Sequence, residues 1–296
     1  MNSYLIYTDS AADIPHHYYK DYDIRIVPMD YLVDGVSSTF HTEAPDHDAL
    51  CEKICEDLRR GADVHTSQVT PFRFVEYWTP MLEEGHDILY VAFSSGLSST
   101  YNNACSAAMQ LKESFPDRTI RVVDSLGATS SHGLAAATAA LNRESGMDIN
   151  ANADWLENHI KNLSLFFSVG DLDYLHRGGR VSGAVALIGG KLNLKPVFMI
   201  DDEGKLKMTG TARGTNSAFK NLIKSTVNGQ GVEDVPKLIF LAHAAQYDKA
   251  ERLAELLREA LPGTVVETVC ESPIIAVHTG PEFFAVGCWV QSRSAK

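Results

Sequence analysis

An α/β fold is predicted for this chain, with a parallel-sheet N-terminal domain followed by a second, C-terminal α/β domain. Three observations carry the prediction. Short apolar runs alternate with longer amphipathic stretches throughout, the pattern of strands alternating with helices. Three of the early runs flow straight into loops of Ser, Asp and Gly that feed a helix, as strand ends do in open parallel sheets. Finally, 296 residues at roughly 150 per domain provide for two cores. The break falls at residues 145–154, where Gly, Asn and Asp follow in quick succession, and the halves are set at residues 1–160 and 161–296.

Taken in order, strands are predicted over residues 4–8, 24–29, 88–93 and 120–123, each a short run rich in β-branched or aromatic residues. The second half adds strands at 165–169, 197–200, 238–242 and 274–278. Helices are predicted over 49–60, 71–84, 99–114, 133–144, 155–162, 215–227 and 248–261, where apolar residues recur at helical spacing. Thr70-Pro71 opens the second of these with a capping hydroxyl and a proline at the first helical position.

Composition narrows the function. Lys+Arg 26 against Asp+Glu 38 gives a net charge of −12, which argues against a nucleic-acid partner and against docking on anionic lipid. The longest apolar runs, 133–141 and 184–190, are far below the ~18–20 residues that span a bilayer. The start of the chain has no basic segment and cleavage site of a signal peptide. Five scattered cysteines do not suggest a disulfide framework. A cytoplasmic protein without stable membrane insertion is expected.

Several segments carry candidate chemistry. Ser94-Ser95-Gly96-Leu97-Ser98-Ser99-Thr100 precedes a helix, so free backbone N–H groups and the positive dipole end favour an anion there. Capping explains one of these hydroxyls, not four serines and a threonine in seven residues. His65-Thr66-Ser67-Gln68-Val69-Thr70 is a second hydroxyl-rich turn, in which Thr66 and Ser67 are left over once Thr70 has capped. His278, in His278-Thr279-Gly280-Pro281, is placed at a strand end within reach of a ligand. His243 holds the same kind of position, and for either one alone a structural role is the commoner outcome. Arg177-Gly178-Gly179-Arg180 pairs two fixed cations with two glycines. Asp9-Ser10, residues 94–96 and Asp124-Ser125 together suggest one polar rim.

Other chemistries are weaker. His47, Cys51 and Cys55 share a helical face but lie beside Leu50, Ile54 and Leu58, which favours core packing over a metal. Neither nucleotide-loop pattern occurs. A Ser/His-dependent lipid or ester hydrolase is the alternative reading, although the Gly-x-Ser-x-Gly elbow is absent.

As a set, the motifs resemble the DegV proteins, a family of bacterial fatty-acid-binding proteins. The matching pieces are residues 8–15, Thr66-Ser67-Gln68, residues 95–101, Val123-Asp124-Ser125 and residues 171–182. Leu192-Asn193-Leu194-Lys195-Pro196, the Asp-Glu-Gly turn at 202–204, Arg213 and residues 278–281 complete the series. The resemblance implies a DegV-like fold with the ligand at the domain junction, no cofactor, and a long-chain fatty acid lying in an apolar tunnel. The carboxylate would be held by Thr66 or Ser67, by Ser98 or Ser95, and by His278 with its neighbour Thr279; Arg180 and Arg213 would contact the head group or a partner. Residues 184–190 with Leu187, Ile188, Phe167 and Phe198 are tunnel candidates. Family members are lipid-presenting subunits of a fatty acid kinase, in which a separate ATP-binding protein makes an acyl phosphate for phospholipid synthesis; no catalysis of its own is implied. The chain departs from the family pattern at Ser98-Ser99-Thr100, usually Ser-Gly-Thr, and at Glu282-Phe283-Phe284, usually small residues.

Overall fold

The computed structural model describes residues 4–42, 46–181 and 193–293. The first half builds a four-stranded parallel sheet in the order β2-β1-β6-β7, from β1 (Tyr4–Asp9), β2 (Ile24–Val27), β6 (Asp87–Ala92) and β7 (Ile120–Asp124). β1 is buried at every position, as strands covered on both faces are. A small antiparallel sheet, β3 (Met29–Val33), β4 (Val36–Phe40) and β5 (Val64–Thr66), projects beside it. The helices of this half are α1 (His17–Asp21), α2 (His47–Arg59), α3 (Pro71–Glu83), α4 (Thr100–Ser114), α5 (Thr129–Glu144) and α6 (Ile149–His159).

The second half forms a six-stranded mixed sheet in the order β10-β9-β8-β13-β11-β12. Its strands are β8 (Leu163–Val169), β9 (Leu194–Ile200), β10 (Leu206–Arg213), β11 (Leu238–His243), β12 (Val265–Cys270) and β13 (Phe283–Trp289). With them come α7 (Asp173–Arg177), α8 (Thr215–Asn228), α9 (Tyr247–Ala260) and α10 (Pro273–Thr279). The Ala- and Gly-rich run at 133–141 belongs to α5, which packs against strands of both sheets. Small residues are required there: a side chain on Gly133 would meet the Asp13 carbonyl at 2.2 Å, and one on Gly287 of β13 would meet the α5 backbone at 2.5 Å. One hydrophobic core therefore takes residues from both sheets, from Leu5 and Tyr7 to Phe167 and Phe283.

Three expectations are corrected. Residues 274–278 are not a strand but lie in α10: Ser272 accepts the Ile275 N–H and Pro273 takes the first helical position, so a local cap overrides an apolar run that reads equally well as strand. The helix expected over 155–162 begins earlier and ends sooner, as α6: Asp148 caps it by accepting from Asn150 and Ala151 N–H, and α6 packs back on β7. Most Asp and Ser side chains of the supposed rim are spent on the fold, and only Ser95 of the set lines the cavity described below. Asp9 accepts from the Tyr90 hydroxyl and from the Ala11 and Phe93 N–H groups, and Asp124 accepts from the Ser95 and Leu126 N–H groups. The sequence reading does not anticipate β4, β5, β10, β12 and β13; β13 is buried at every position, so it lacks the alternation that marks a half-exposed strand.

Candidate functional site

A cavity of about 710 Å³ lies where the loops after β6 and β7 meet β5, α10 and the inner face of the large sheet. Its apolar part is walled by Met29, Leu165, Phe167, Ile274, Ile275 and Phe283. Its polar part brings together Thr66, Ser67, Ser95, Ser98, Arg180 and His278, and Thr279 also reaches the wall.

The two hydroxyl turns are tied to each other. Ser98 accepts the Thr100 N–H at 3.2 Å and lies 2.9 Å from the Thr100 hydroxyl, which in turn accepts the Val69 N–H at 3.3 Å. Ser99 precedes α4 without capping it; it lines the cavity instead. Thr70 caps α3 as expected, accepting from Arg73 N–H.

His278 sits in the last turn of α10, with Nε2 2.8 Å from Thr66 Oγ1. Its Nδ1 is buried with no hydrogen-bond partner among the described residues and faces Gly178, where an added side chain would come within 2.3 Å. A proton on Nδ1 would be an unsatisfied buried donor, so it belongs on Nε2. Nε2–H then donates to Thr66, whose own hydroxyl hydrogen is free for a ligand oxygen. Burial, with Arg180 and His65 adding repulsion, pushes the His278 pKa down to about 3, so the ring is neutral at pH 7. His243 is likewise buried, and its pKa is pushed down to about 4.

These two shifts have a defined sign. An imidazole that titrates near 6.5 when unfolded but lower when folded binds more protons in the unfolded state between those values. Its contribution to stability is complete above about pH 6.5 and is lost as pH falls toward the folded value. Tm should therefore drop on acidification from pH 6.5 toward 4, and His278→Gln should blunt that drop. An identical pH dependence in the variant would count against a neutral, buried His278.

Arg180 is the positive element. It is half-buried, its guanidinium donates to the Gly178 carbonyl, and no carboxylate pairs with it among the described residues; burial alone lowers its pKa. A cation held this way stabilises an anion placed in the cavity.

Of the other expected residues, Thr279 lines the cavity with its hydroxyl engaged inside the protein, and Arg213 stands elsewhere. The Thr279 hydroxyl has the Glu271 carboxyl at 2.9 Å and the Ile275 carbonyl at 3.1 Å as acceptors for its one hydrogen, so that hydrogen is committed within the protein. Arg213 ends β10 exposed and is not part of the cavity wall. Of the tunnel candidates, Phe167 lines the cavity and Phe198 stacks behind it at 5.0 Å; residues 184–190 lie outside the described residues. The departure at 282–284 resolves into three roles. Glu282 pairs with Lys195, Phe283 lines the cavity, and Phe284 faces the opposite side against Phe219.

Sequence reasoning missed the buried acids Asp13 and Glu271. Asp13 accepts from the Ser272 N–H at 2.8 Å and from the Thr129 hydroxyl, tying the loop after β1 to α5 and α10. Burial pushes its pKa up to about 6 and that of Glu271 well above the usual range. The only signal for Asp13 was its place in the motif at residues 8–15.

Fold and cavity together define an α/β protein built on two large sheets and a small third one, with an apolar pocket that also carries hydroxyls, a neutral histidine and an arginine that has no carboxylate partner among the described residues. The chain belongs to the DegV family: the family model, described as uncharacterised protein, DegV family, matches residues 3–291. It is 35% identical over 286 residues to a DegV domain-containing protein of Clostridium perfringens, covering 97% of each chain. A solved DegV lipid-binding protein from Thermotoga maritima is 27% identical and superposes with a TM-score of 0.84, covering 99% of this chain and 100% of that one. A Thermus thermophilus DegV family protein, solved in a study of its fatty acid binding, is 29% identical with a TM-score of 0.82, covering 97% and 99%.

Proposed function

We propose that this protein binds a long-chain fatty acid in the cavity and presents its carboxylate to a separate ATP-dependent kinase for acyl-phosphate formation, in the cytoplasm and without catalysis of its own. The observation that carries the reading is the half-buried Arg180, without a carboxylate partner among the described residues, lining with Thr66, Ser98 and His278 a cavity that is also walled by Met29, Leu165, Phe167, Ile274, Ile275 and Phe283. Burying each CH₂ of a tail contributes about 0.8 kcal/mol, so the tail supplies affinity and the polar groups set orientation. Lipid and fatty acid binding by the Thermotoga and Thermus relatives supports the same ligand class. Presentation to a partner is supported by Ser67, Ser95 and Ser99, which line the cavity yet are exposed at the surface. We take residues 1–160 and 161–296 as the two domains, matching the division of strands between the parallel and the large mixed sheet.

The hydrolase alternative lacks its geometry. His278 meets a threonine, not a serine, and among the described residues no carboxylate orients its Nδ1.

Organic extraction of the purified protein followed by mass spectrometry should release long-chain fatty acids. Extracts free of lipid, together with no affinity for added palmitate or oleate, would overturn the reading. Adding ATP and a fatty acid kinase subunit should then yield acyl phosphate from the bound lipid.

A further inference from the structure

A second pocket, of about 240 Å³, shares no lining residue with the cavity that holds Arg180 and His278. His16 from the loop after β1, His47 and Asp48 at the start of α2, and His243 and Tyr247 at the junction of β11 and α9 stand in its wall. The first residues of two helices thus border one small space. No side chain caps either helix among the described residues: Asp46 and Gln246 hold the cap positions of α2 and α9 without accepting from the turn that follows. The open N–H groups and positive dipole ends of both helices favour negative charge there.

His243 is an independent sign of a ligand. It is 2% exposed, and its ring stands edge-on to Tyr247 with centroids 4.9 Å apart. Nδ1 accepts the Gln246 N–H at 3.2 Å and burial keeps the ring neutral at pH 7, so its one hydrogen sits on Nε2. That N–H has no acceptor among the described residues, and a buried donor left without one is costly until an oxygen is bound to it. Asp48 adds an acceptor. Its Oδ1 lies 3.0 Å from His47 Nδ1, while Oδ2 has no hydrogen-bond partner among the described residues.

We propose that this pocket binds inorganic phosphate, with the His243 Nε2–H and the N-termini of α2 and α9 donating to its oxygens and Asp48 accepting its P–OH hydrogen. Donors alone would suit any oxyanion. The carboxylate favours one that brings a hydrogen of its own, which inorganic phosphate carries at neutral pH and sulfate does not. A phosphate monoester has largely lost that hydrogen above its second pKa of about 6, so the same carboxylate disfavours it. His16 and His47 line the wall and can take up protons to offset the added charge. The site is separate from the fatty acid cavity and does not depend on that reading.

The test is calorimetric titration of the full-length protein with sodium phosphate, sodium sulfate and glycerol 3-phosphate. Phosphate should bind saturably, about tenfold or more tighter than either of the others. His243→Ala should weaken phosphate binding about tenfold, as expected for one lost hydrogen bond to a charged group. The Asp48 side chain is 66% exposed and tolerates truncation, so Asp48→Ala keeps the test decisive should His243→Ala fail to fold. That variant should bring phosphate and sulfate to similar affinities. Palmitate binding, which uses the other cavity, should be unchanged by either substitution. No saturable phosphate binding, sulfate bound as tightly as phosphate, or phosphate affinity unchanged in the folded variants would overturn the proposal. Glycerol 3-phosphate bound more tightly than phosphate would overturn it too, and would assign the pocket to a phosphorylated metabolite.

Discussion

Arg293→Met should destabilise the protein by about 3–5 kcal/mol, read as a lowered urea midpoint and Tm. The side chain is 1% exposed and its guanidinium donates to four carbonyls: Leu163 at 2.6 Å, Asp201 at 2.7 Å, Ile160 at 2.8 Å and Leu126 at 2.9 Å. Leu126 follows the last strand of the parallel sheet, Ile160 and Leu163 lead into the large sheet, and Asp201 opens its β9–β10 turn. One side chain therefore joins both halves. Burial lowers its pKa to about 10, with Asp202, Asp201 and Asp124 opposing that shift, so it is charged at pH 7. Methionine fills comparable volume but leaves four buried acceptors short of a donor. The effect should extend to the ligand site, because the turn held at Asp201 carries Gly204, whose carbonyl accepts from Ser94 at 2.7 Å. Gly96 packs on the same turn so closely that a side chain would meet the Glu203 carbonyl at 2.6 Å. An unfolding midpoint equal to wild type would show that the guanidinium does not join the two halves.

His278→Ala should weaken fatty acid binding by about 1–3 kcal/mol, roughly 5- to 150-fold in Kd, with little change in Tm at pH 7. The imidazole orients the Thr66 hydroxyl, so its removal frees that hydroxyl to rotate and leaves the carboxylate with a poorly aimed donor. Thr66→Val should reproduce most of the loss, and the double variant should lose less than the sum of the two, because both substitutions break one hydrogen-bonded unit. Titration with a fluorescent fatty acid measures all three. Affinity unchanged in both single variants would place the carboxylate elsewhere in the cavity.

Much of this site was legible before any fold was known. The hydroxyl turns, His278 and Arg180 stood out because each concentrated polar groups beside a predicted strand or helix end, and all of them line the cavity. Reading α10 as a strand did not displace His278, since either element ends at the same turn. Thr279 and Arg213 show the limit: being next to a ligand residue, or inside a family motif, does not determine where a side chain points. Arg293 gave no local signal, since it acts through partners distant in the chain.

Sequence alone determined what is local: the alternation of strands and helices, the cap at Thr70, and the polar turns with their affinity for an anion. These follow from backbone sterics and side-chain patterning over a few residues. Only the tertiary structure decided what meets. Thr66 and His278 stand 212 positions apart, and their contact depends on α5 lying between the two sheets and on the absence of a side chain at Gly178. Such contacts are set by close packing, where a fraction of an ångström separates a hydrogen bond from a clash, and no pattern within a single segment encodes them.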